Sequence, residues 1–399
     1  MLLHEIIDHT EKIIRNLTKL FSMNLKSLAV LLLLIYFPFH LKGQKTTPSF
    51  KRSLFKNDKL RPLLQDSQNY KIQIIYTPIK GKKIGKTQYF QYTPDQYFYP
   101  ASTVKLPAVL LSLEKLNEIS INKDLKYTSQ STIKNYSSVE AEANESISNY
   151  IKKILLVSDN DAFNRLYDFL GMDYFNDKLK QKGFSNTKIN HRLSINLSKE
   201  ENQTTPKVFL GRSYYEEPKT SFRSYQSSEK ILVGKKYITG KKLINQPMDF
   251  AAKNKFDLLD QHRMLISIFY PENIDQKAHF NIKASDLNFV KDYMSRMPRN
   301  ANYDETKFPD NYGKFLVFGD QKGRIPENIK IYNKIGGAYG FLIDNALIKD
   351  ENSSNAMILS AVIYANKNET LNDDTYEYDS LGLPFLGELG RYLLKSSTK

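Results

Sequence analysis

Three short segments of this chain hold residue types that can do covalent chemistry on a carbonyl group. The first is Ser102-Thr103-Val104-Lys105, placed where an aromatic stretch and Pro100 give way to a helical apolar pattern. Residues three apart on a helix share one face, so the Lys105 amine can reach the Ser102 hydroxyl. Burial there lowers a lysine pKa toward that of a useful base, and first-turn amides favour developing negative charge. The second is Ser158-Asp159-Asn160, between two predicted helices. A hydroxyl at that point can relay a proton to a leaving nitrogen, and a carboxamide can hold Lys105 and donate to a substrate carbonyl. The third is Lys334-Ile335-Gly336-Gly337, at the end of a predicted strand. Its lysine offers charge to a substrate carboxylate, and its glycines let a substrate backbone lie close along the strand edge. Each segment alone is weak: an exposed helix start, a helix N-cap and a Gly-rich turn account for them equally well.

The elements that must position these residues are legible from periodicity. Segments 70–76 and 87–92 are rich in β-branched and aromatic residues around a turn with Gly81 and Gly85, which predicts a hairpin. A helix is expected over 104–116, with Pro107 kinking or loosening its first turn. Helices follow at 147–156 and 162–170, the latter capped by Gly171, and again at 256–269 and 284–297. Three strands are expected at 329–335, 341–348 and 357–365, and a closing helix over 384–395. This order suits one antiparallel sheet built from both ends of the chain around a helical insert. Residues 44–66 are polar with two prolines and read as a linker, with order beginning near Tyr70. Residues 207–250, rich in Tyr and Lys and punctuated by glycines, read as a β-rich insertion.

With 399 residues, 41% of them hydrophobic, the chain can bury a full core. It has no cysteine, which excludes disulfides, a thiolate nucleophile and Cys-ligated metals. The apolar run 29–37, with Lys26 before it and Gly43 and Gln44 after it, has the pattern of a secretory leader and is short for a membrane span. We therefore expect residues 1–43 to be a cleaved signal peptide or N-terminal anchor, with Met23 as a plausible true start, and the protein to be exported to a periplasm or secreted. The net charge of +15 comes from lysines spread along the chain, without a nucleic-acid motif, so no nucleic-acid partner is expected. An envelope or membrane surface and plain solvation both fit the charge. No Rossmann or P-loop glycine pattern and no H-E-x-x-H is present. Asp257, Asp260 and His262 read as a solvated helix face rather than a metal site, so no cofactor or metal is expected.

Taken together, in this order and each on the element its chemistry requires, the three segments resemble the class A β-lactamases and related penicillin-binding serine enzymes, whose signatures are S-x-x-K, S-D-N and K-T-G. Tyr99-Pro100-Ala101, the run 158–171, Thr204-Thr205-Pro206 and Asp344-Asn345-Ala346 are similar to segments of that family in corresponding places. The resemblance spans about 70–395 apart from the insertion. It implies an α+β fold of the β-lactamase/transpeptidase type, a five-stranded antiparallel sheet flanked by helices plus a helical subdomain, as one domain over 67–399. It implies a serine hydrolase with Ser102 as nucleophile, Lys105 as base and Ser158 as proton shuttle. Asn160, Lys334, Gly336 and Gly337 would bind substrate, and the amides of Ser102 and Gly337 would form the oxyanion hole. The implied substrate is a β-lactam or a peptidoglycan-like peptide, acted on by a monomer.

Two departures bear on the outcome. Ile335 stands where the family has Thr or Ser, removing a hydroxyl that helps grip the substrate carboxylate. Within 187–197, Ile195 falls near the position of the family's deacylating glutamate, and no carboxylate lies in that stretch. Glu200, Glu201 or His191 would have to substitute; otherwise an acyl-enzyme persists. The readings left open are a β-lactam hydrolase with slow deacylation, a D-alanyl-D-alanine peptidase or esterase, and a weakened binding module that uses 207–250 as a contact surface.

Overall fold

The computed structural model describes residues 43–122, 126–135, 143–353 and 355–396. Apart from Gly43, the expected leader lies outside the described residues, and the fold is that of the unit Lys45–Lys399. Its centre is an antiparallel sheet of β1 (Gln73–Lys80), β2 (Lys83–Ile84), β3 (Gln88–Phe90), β4 (Ile329–Ala338), β5 (Phe341–Asp350) and β6 (Asn355–Tyr364), in the order β4-β5-β6-β1 with β2 and β3 both on the free edge of β1. The five expected strands are all present, and the two-residue β2 adds a sixth. The register sets Ile75 opposite Ser360 and Lys334 opposite Asn345, so strands from the two ends of the chain are adjacent. β1 runs four residues further than its apolar signal, through Pro78. That proline is tolerated because pairing with β3 stops at Tyr76 and pairing with β2 begins at Ile79, so its missing N–H faces a gap.

Strands β5 and β6 are almost continuously buried, as expected of strands covered on both faces. Met357, Leu359, Ala361 and Ile363 of β6 join the core formed with α7 (Leu383–Ser396), which contributes Phe385, Leu386, Leu389 and Leu393. The intervening Ile358 belongs to the second core with α1 (Lys105–Asn122), α2 (Ile147–Val157), α3 (Asn160–Leu170), α4 (Met172–Gln181), α5 (Leu258–Phe269) and α6 (Ala284–Ser295). A 3₁₀ turn, Ala101–Val104, leads into α1, so Pro107 is only the third residue of the α-helix, near where N–H groups lack intrahelical partners anyway. Helix α1 is buried from Lys105 to Leu116, which fits a position at the heart of the helical region.

Two expectations are corrected. Residues 44–66 are not a linker: they form helices Pro48–Leu54 and Arg61–Gln65, with Phe50, Leu54, Leu60 and Leu64 buried. Those residues sit four apart in two pairs, a helical spacing hidden by the polar residues around it. Tyr392 of α7 donates to the Ser53 carbonyl at 2.6 Å, fastening the two ends of the fold together. The second correction concerns Asp257, Asp260 and His262, which are buried rather than solvated. Asp257 caps α5, accepting from the amides of Leu259 and Asp260, and Asp260 accepts from the Thr187 hydroxyl at 2.8 Å. The His262 ring bridges strands, with Nε2 2.8 Å from Thr77 Oγ1 and Nδ1 2.9 Å from Ser360 Oγ.

Segment 207–250 forms short strands from Val208–Leu210 to Met248–Asp249, which pair among themselves and with Thr132–Asn135, Thr204–Thr205 and Thr370–Leu371. Among the described residues no helix is long and apolar enough to cross a membrane.

Candidate active site

Ser102 sits in the 3₁₀ turn ahead of α1, and the turn is held by the Thr103 hydroxyl donating to the Pro100 carbonyl at 2.8 Å. Strand β4 lies directly against it: a Cβ on Gly336 would come within 2.5 Å of the Pro100 carbonyl, so only glycine permits that approach. Gly336 is therefore the spacer between strand and turn, while Gly337 lines the cleft.

Lys105 begins α1 and is fully buried. Its Nζ lies 2.9 Å from Ser102 Oγ, 2.6 Å from Asn160 Oδ1 and 3.2 Å from Ser158 Oγ, and it donates to the Ser158 carbonyl. Ser158 is presented by a left-handed residue (φ 57°, ψ 39°) between α2 and α3, and Asp159 caps α3 by accepting from Ala162 N. That turn delivers the Ser158 hydroxyl and carbonyl and the first side chain of α3 to one amine. Lys334 arrives from β4 and donates to Ser158 Oγ at 2.9 Å. Ser158 thus stands between two lysines, and five predicted site residues, Ser102, Lys105, Ser158, Asn160 and Lys334, form one hydrogen-bonded chain.

Burial first, and the neighbouring Lys334 cation second, hold the Lys105 pKa well below the ordinary lysine range. Burial lowers Lys334 to about 7, against the pull of Asp344. A neutral Lys105 keeps two N–H bonds for the Ser158 and Asn160 oxygens and turns its lone pair to the Ser102 hydroxyl. Behind Lys334, Lys314 donates to the Met294 and Ile331 carbonyls and to Asn333 Oδ1 at 2.7, 2.8 and 2.7 Å. Asp344 accepts from Asn333 Nδ2 and Leu316 N at 2.8 and 2.9 Å. This buried network fixes the strand from which Lys334 projects.

The loop after α4 closes one side. The guanidinium of Arg192 donates to Asp168 of α3 at 2.5 and 2.9 Å, and Asn164 exchanges two hydrogen bonds with the Leu193 backbone. The loop residues lining the cleft are Leu193 and Ser194, and Ser194 Oγ accepts from Asn160 Nδ2 at 2.7 Å. Ile195, the residue the sequence placed nearest the expected glutamate, instead lines a separate pocket beyond the loop. None of the three substitute bases, Glu200, Glu201 and His191, lines the cleft. Glu201 is tied into a capping box with Ser198. His191 is stacked at 6.2 Å on Tyr99, faces the Arg192 carbonyl through Nδ1 and is lowered to about 4 by burial.

The cleft has a volume of about 650 Å³ and holds Ser102, Asn160, Ser194 and Gly337. Its opposite wall was not found from the sequence: Tyr339, Asn372, Asp374, Tyr376, Tyr378 and Asp379. The signal that could have found it is the acidic and aromatic run 373–379 between the last strand and the closing helix. Ser194 carries no such signal. Ala101, Ser158, Ser194, Tyr339, Asn372 and Asp374 all have φ between 48° and 60°, so left-handed backbone gathers around this cleft. Among the described residues no group of three or more His, Asp or Glu side chains is placed to hold a metal ion.

A serine hydroxyl, a buried amine, a bridging hydroxyl and a second lysine thus meet where the antiparallel sheet joins the helical region. Residues 57–211 match the model of the beta-lactamase enzyme family, a span that includes Ser102, Lys105, Ser158 and Asn160. Over that span, 155 of the 399 residues, this chain is similar to that family. Among solved structures it is similar to a β-lactamase from Sphaerobacter thermophilus, at 12% identity over 85% of this chain and 96% of that one with a TM-score of 0.47. It is similar also to a class A β-lactamase from Bacteroides cellulosilyticus (12%, 86% and 98%, 0.48) and to PBP-A (13%, 84% and 96%, 0.48). Comparison with curated proteins gave no match.

Proposed function

We propose that this chain is an exported serine hydrolase that takes an acyl group from a β-lactam, or from a peptide or ester of similar shape, onto Ser102 and releases it slowly. The observation that carries this reading is the Lys105 amine, buried and 2.9 Å from Ser102 Oγ, with the Ser158 hydroxyl between it and Lys334. In the first step Ser102 Oγ forms a bond to the acyl carbon while its proton passes to neutral Lys105. The amide C–N bond then breaks, and Ser158 hands a proton to the leaving nitrogen, drawing on Lys105. The amides of Ser102 and Gly337, both on the cleft, are the candidate donors to the oxyanion. Charged Lys334 takes the substrate carboxylate. Hydrolysis of the acyl-enzyme needs a base for water, and the loop wall of the cleft offers Ser194 rather than a carboxylate, the cleft's two aspartates, Asp374 and Asp379, standing on the opposite wall. That favours a long-lived acyl-enzyme and a peptidase or esterase role over rapid lactam turnover. Export rests on the leader-like pattern at 29–37.

The test is intact-mass spectrometry of the purified protein with a penicillin over time. The expected result is one covalent adduct on Ser102 that accumulates and decays slowly. Ser102→Ala should carry no adduct, and Lys105→Met, which keeps the buried stem, should acylate at least ~10²-fold more slowly. Labelling that survives in Ser102→Ala moves the nucleophile elsewhere. A folded protein that never labels is the binding module instead.

A further inference from the structure

We infer that the acyl donor of this site carries a positively charged group, recognised by Asp374 and Asp379 on the tyrosine-lined wall of the cleft; this rests on the acyl-enzyme reading given above. The chain has 58 Lys and Arg against 43 Asp and Glu, so an arbitrary surface cleft should be basic. This one is the reverse. Among the described residues the only charged side chains lining it are the two aspartates, while Lys105 and Lys334 lie buried behind Ser102 and Ser158. Both aspartates are exposed, and neither has an ion-pair partner among the described residues. Their charges stand beside Tyr376 and Tyr378, whose rings are 5.1 Å apart, and the same cavity continues to Tyr339 and Ser102.

The wall is built to hold its place. Tyr378 Oη accepts from Gly340 N at 2.9 Å, tying it to the turn that follows Gly337, and Tyr376 Oη accepts from Asn372 N at 2.8 Å. These bonds occupy the phenol oxygens and leave the rings as apolar and π surface. Two carboxylates beside aromatic rings match an ammonium group, by charge attraction and by cation–π contact. A neutral or anionic group there gains neither. The two sides of the site therefore differ in sign, with Lys334 a cation buried behind Ser158 and the far wall of the cleft offering anions. A substrate with a carboxylate at one end and an ammonium at the other fits that polarity. The wanted class is an amide or ester acyl donor bearing a free amine, such as a peptide with a basic side chain.

The experiment compares acylation of the full protein by two matched pairs of β-lactams. An aminopenicillin and its N-acetyl derivative place or remove the charge on the acyl side. A cephalosporin with an aminoalkyl group at its 3-position and its N-acetyl derivative do so on the leaving side. In at least one pair the charged member should acylate Ser102 about five- to twenty-fold faster at low salt, with the preference shrinking toward unity at 0.5 M NaCl. The Asp374→Asn, Asp379→Asn double variant should bring that ratio to about one. Equal rates in both pairs, or a preference that persists in the double variant or at high salt, overturn the inference. The salt series needs no variant, so misfolding cannot obscure it. Labelling without discrimination removes only this inference, whereas no labelling by any member removes the acyl-enzyme reading and this inference with it.

Discussion

If slow release of the acyl group follows from the missing carboxylate, then placing one at Ser194 should shorten the life of the adduct. Ser194 is exposed, already left-handed at φ 55°, and accepts from Asn160 Nδ2 at 2.7 Å, so Ser194→Glu adds neither new backbone strain nor buried volume and keeps an acceptor for Asn160. The added reach brings a carboxylate toward the Ser102 ester, close enough to activate a water. A positioned general base contributes roughly 10²–10⁴-fold, and one on an exposed loop belongs at the low end, so deacylation should quicken by about 10², or ~2.7 kcal/mol.

The same carboxylate has a cost. Asn160 separates it from Lys105, and at about 6 Å with an effective dielectric near 20 it would stabilise the Lys105 ammonium by ~3 kcal/mol. Acylation should therefore slow while deacylation accelerates. The assay acylates the protein, removes free lactam and follows loss of the adduct by intact mass, with Ser194→Gln as the control of equal size without a base. If Ser194→Glu and Ser194→Gln lose the adduct at the same rate as the parent, the absent carboxylate is not what limits turnover.

Two further outcomes follow from buried titrating groups. If charged Lys334 binds the substrate carboxylate, its pKa, lowered to about 7 by burial, makes the second-order acylation constant for an anionic lactam fall as pH rises through that value; a flat profile from pH 6 to 9 removes Lys334 from carboxylate recognition. His262 is held neutral by burial, with its pKa lowered from 6.5 to about 3. Below pH 6.5 the unfolded chain takes up a proton that the folded chain refuses, so stability is lost as pH falls, by ~1.4 kcal/mol per unit and on the order of 5 kcal/mol by pH 3. Asp260, raised to about 7, has the opposite slope over part of this range, so the readout is the difference in denaturant stability between the protein and His262→Asn at each pH. A constant difference from pH 4 to 7 refutes the assignment.

What could be read from the sequence follows from which signals are local. The helix carrying Ser102 and Lys105, the Ser158 turn and the β4 edge with Lys334 were legible because each motif sits at a boundary that apolar periodicity reveals. The five main strands were legible for the same reason. The helices at 48–65 were not, since their apolar residues are too few to stand out until Tyr392 and Glu388 of α7 are seen to fasten them. The burial of Asp257, Asp260 and His262 was hidden for a related reason: Tyr92, Thr187, Thr77 and Ser360, which satisfy them, are distant in sequence. Placing Ser194 rather than Ile195 toward the cleft needed the Arg192–Asp168 and Leu193–Asn164 contacts that set the loop against α3. Counting residues cannot supply that rotation.

The two lysines around Ser158 raise the question of which one is neutral, and the answer carries a last prediction. Lys105 Nζ and Lys334 Nζ each reach Ser158 Oγ, at 3.2 and 2.9 Å, so the amines are no more than about 6 Å apart. Two cations at that separation repel by ~3 kcal/mol at an effective dielectric near 20, enough to favour loss of one proton from a buried pair. Burial already lowers Lys105 well below its usual range, with the Lys334 charge adding to it, and Lys334 titrates only near about 7. The proton therefore leaves Lys105 first, which is the amine that faces Ser102. Lys334→Met removes the repelling charge, keeps the volume of the stem and should make Lys105 easier to protonate. Measured with an activated ester that has no carboxylate, so that lost carboxylate binding does not intervene, the acid limb of the acylation profile should move to higher pH. An acid limb that stays in place while the overall rate falls would show that burial alone sets the base, and that Lys334 acts only on substrate and on the Ser158 hydroxyl.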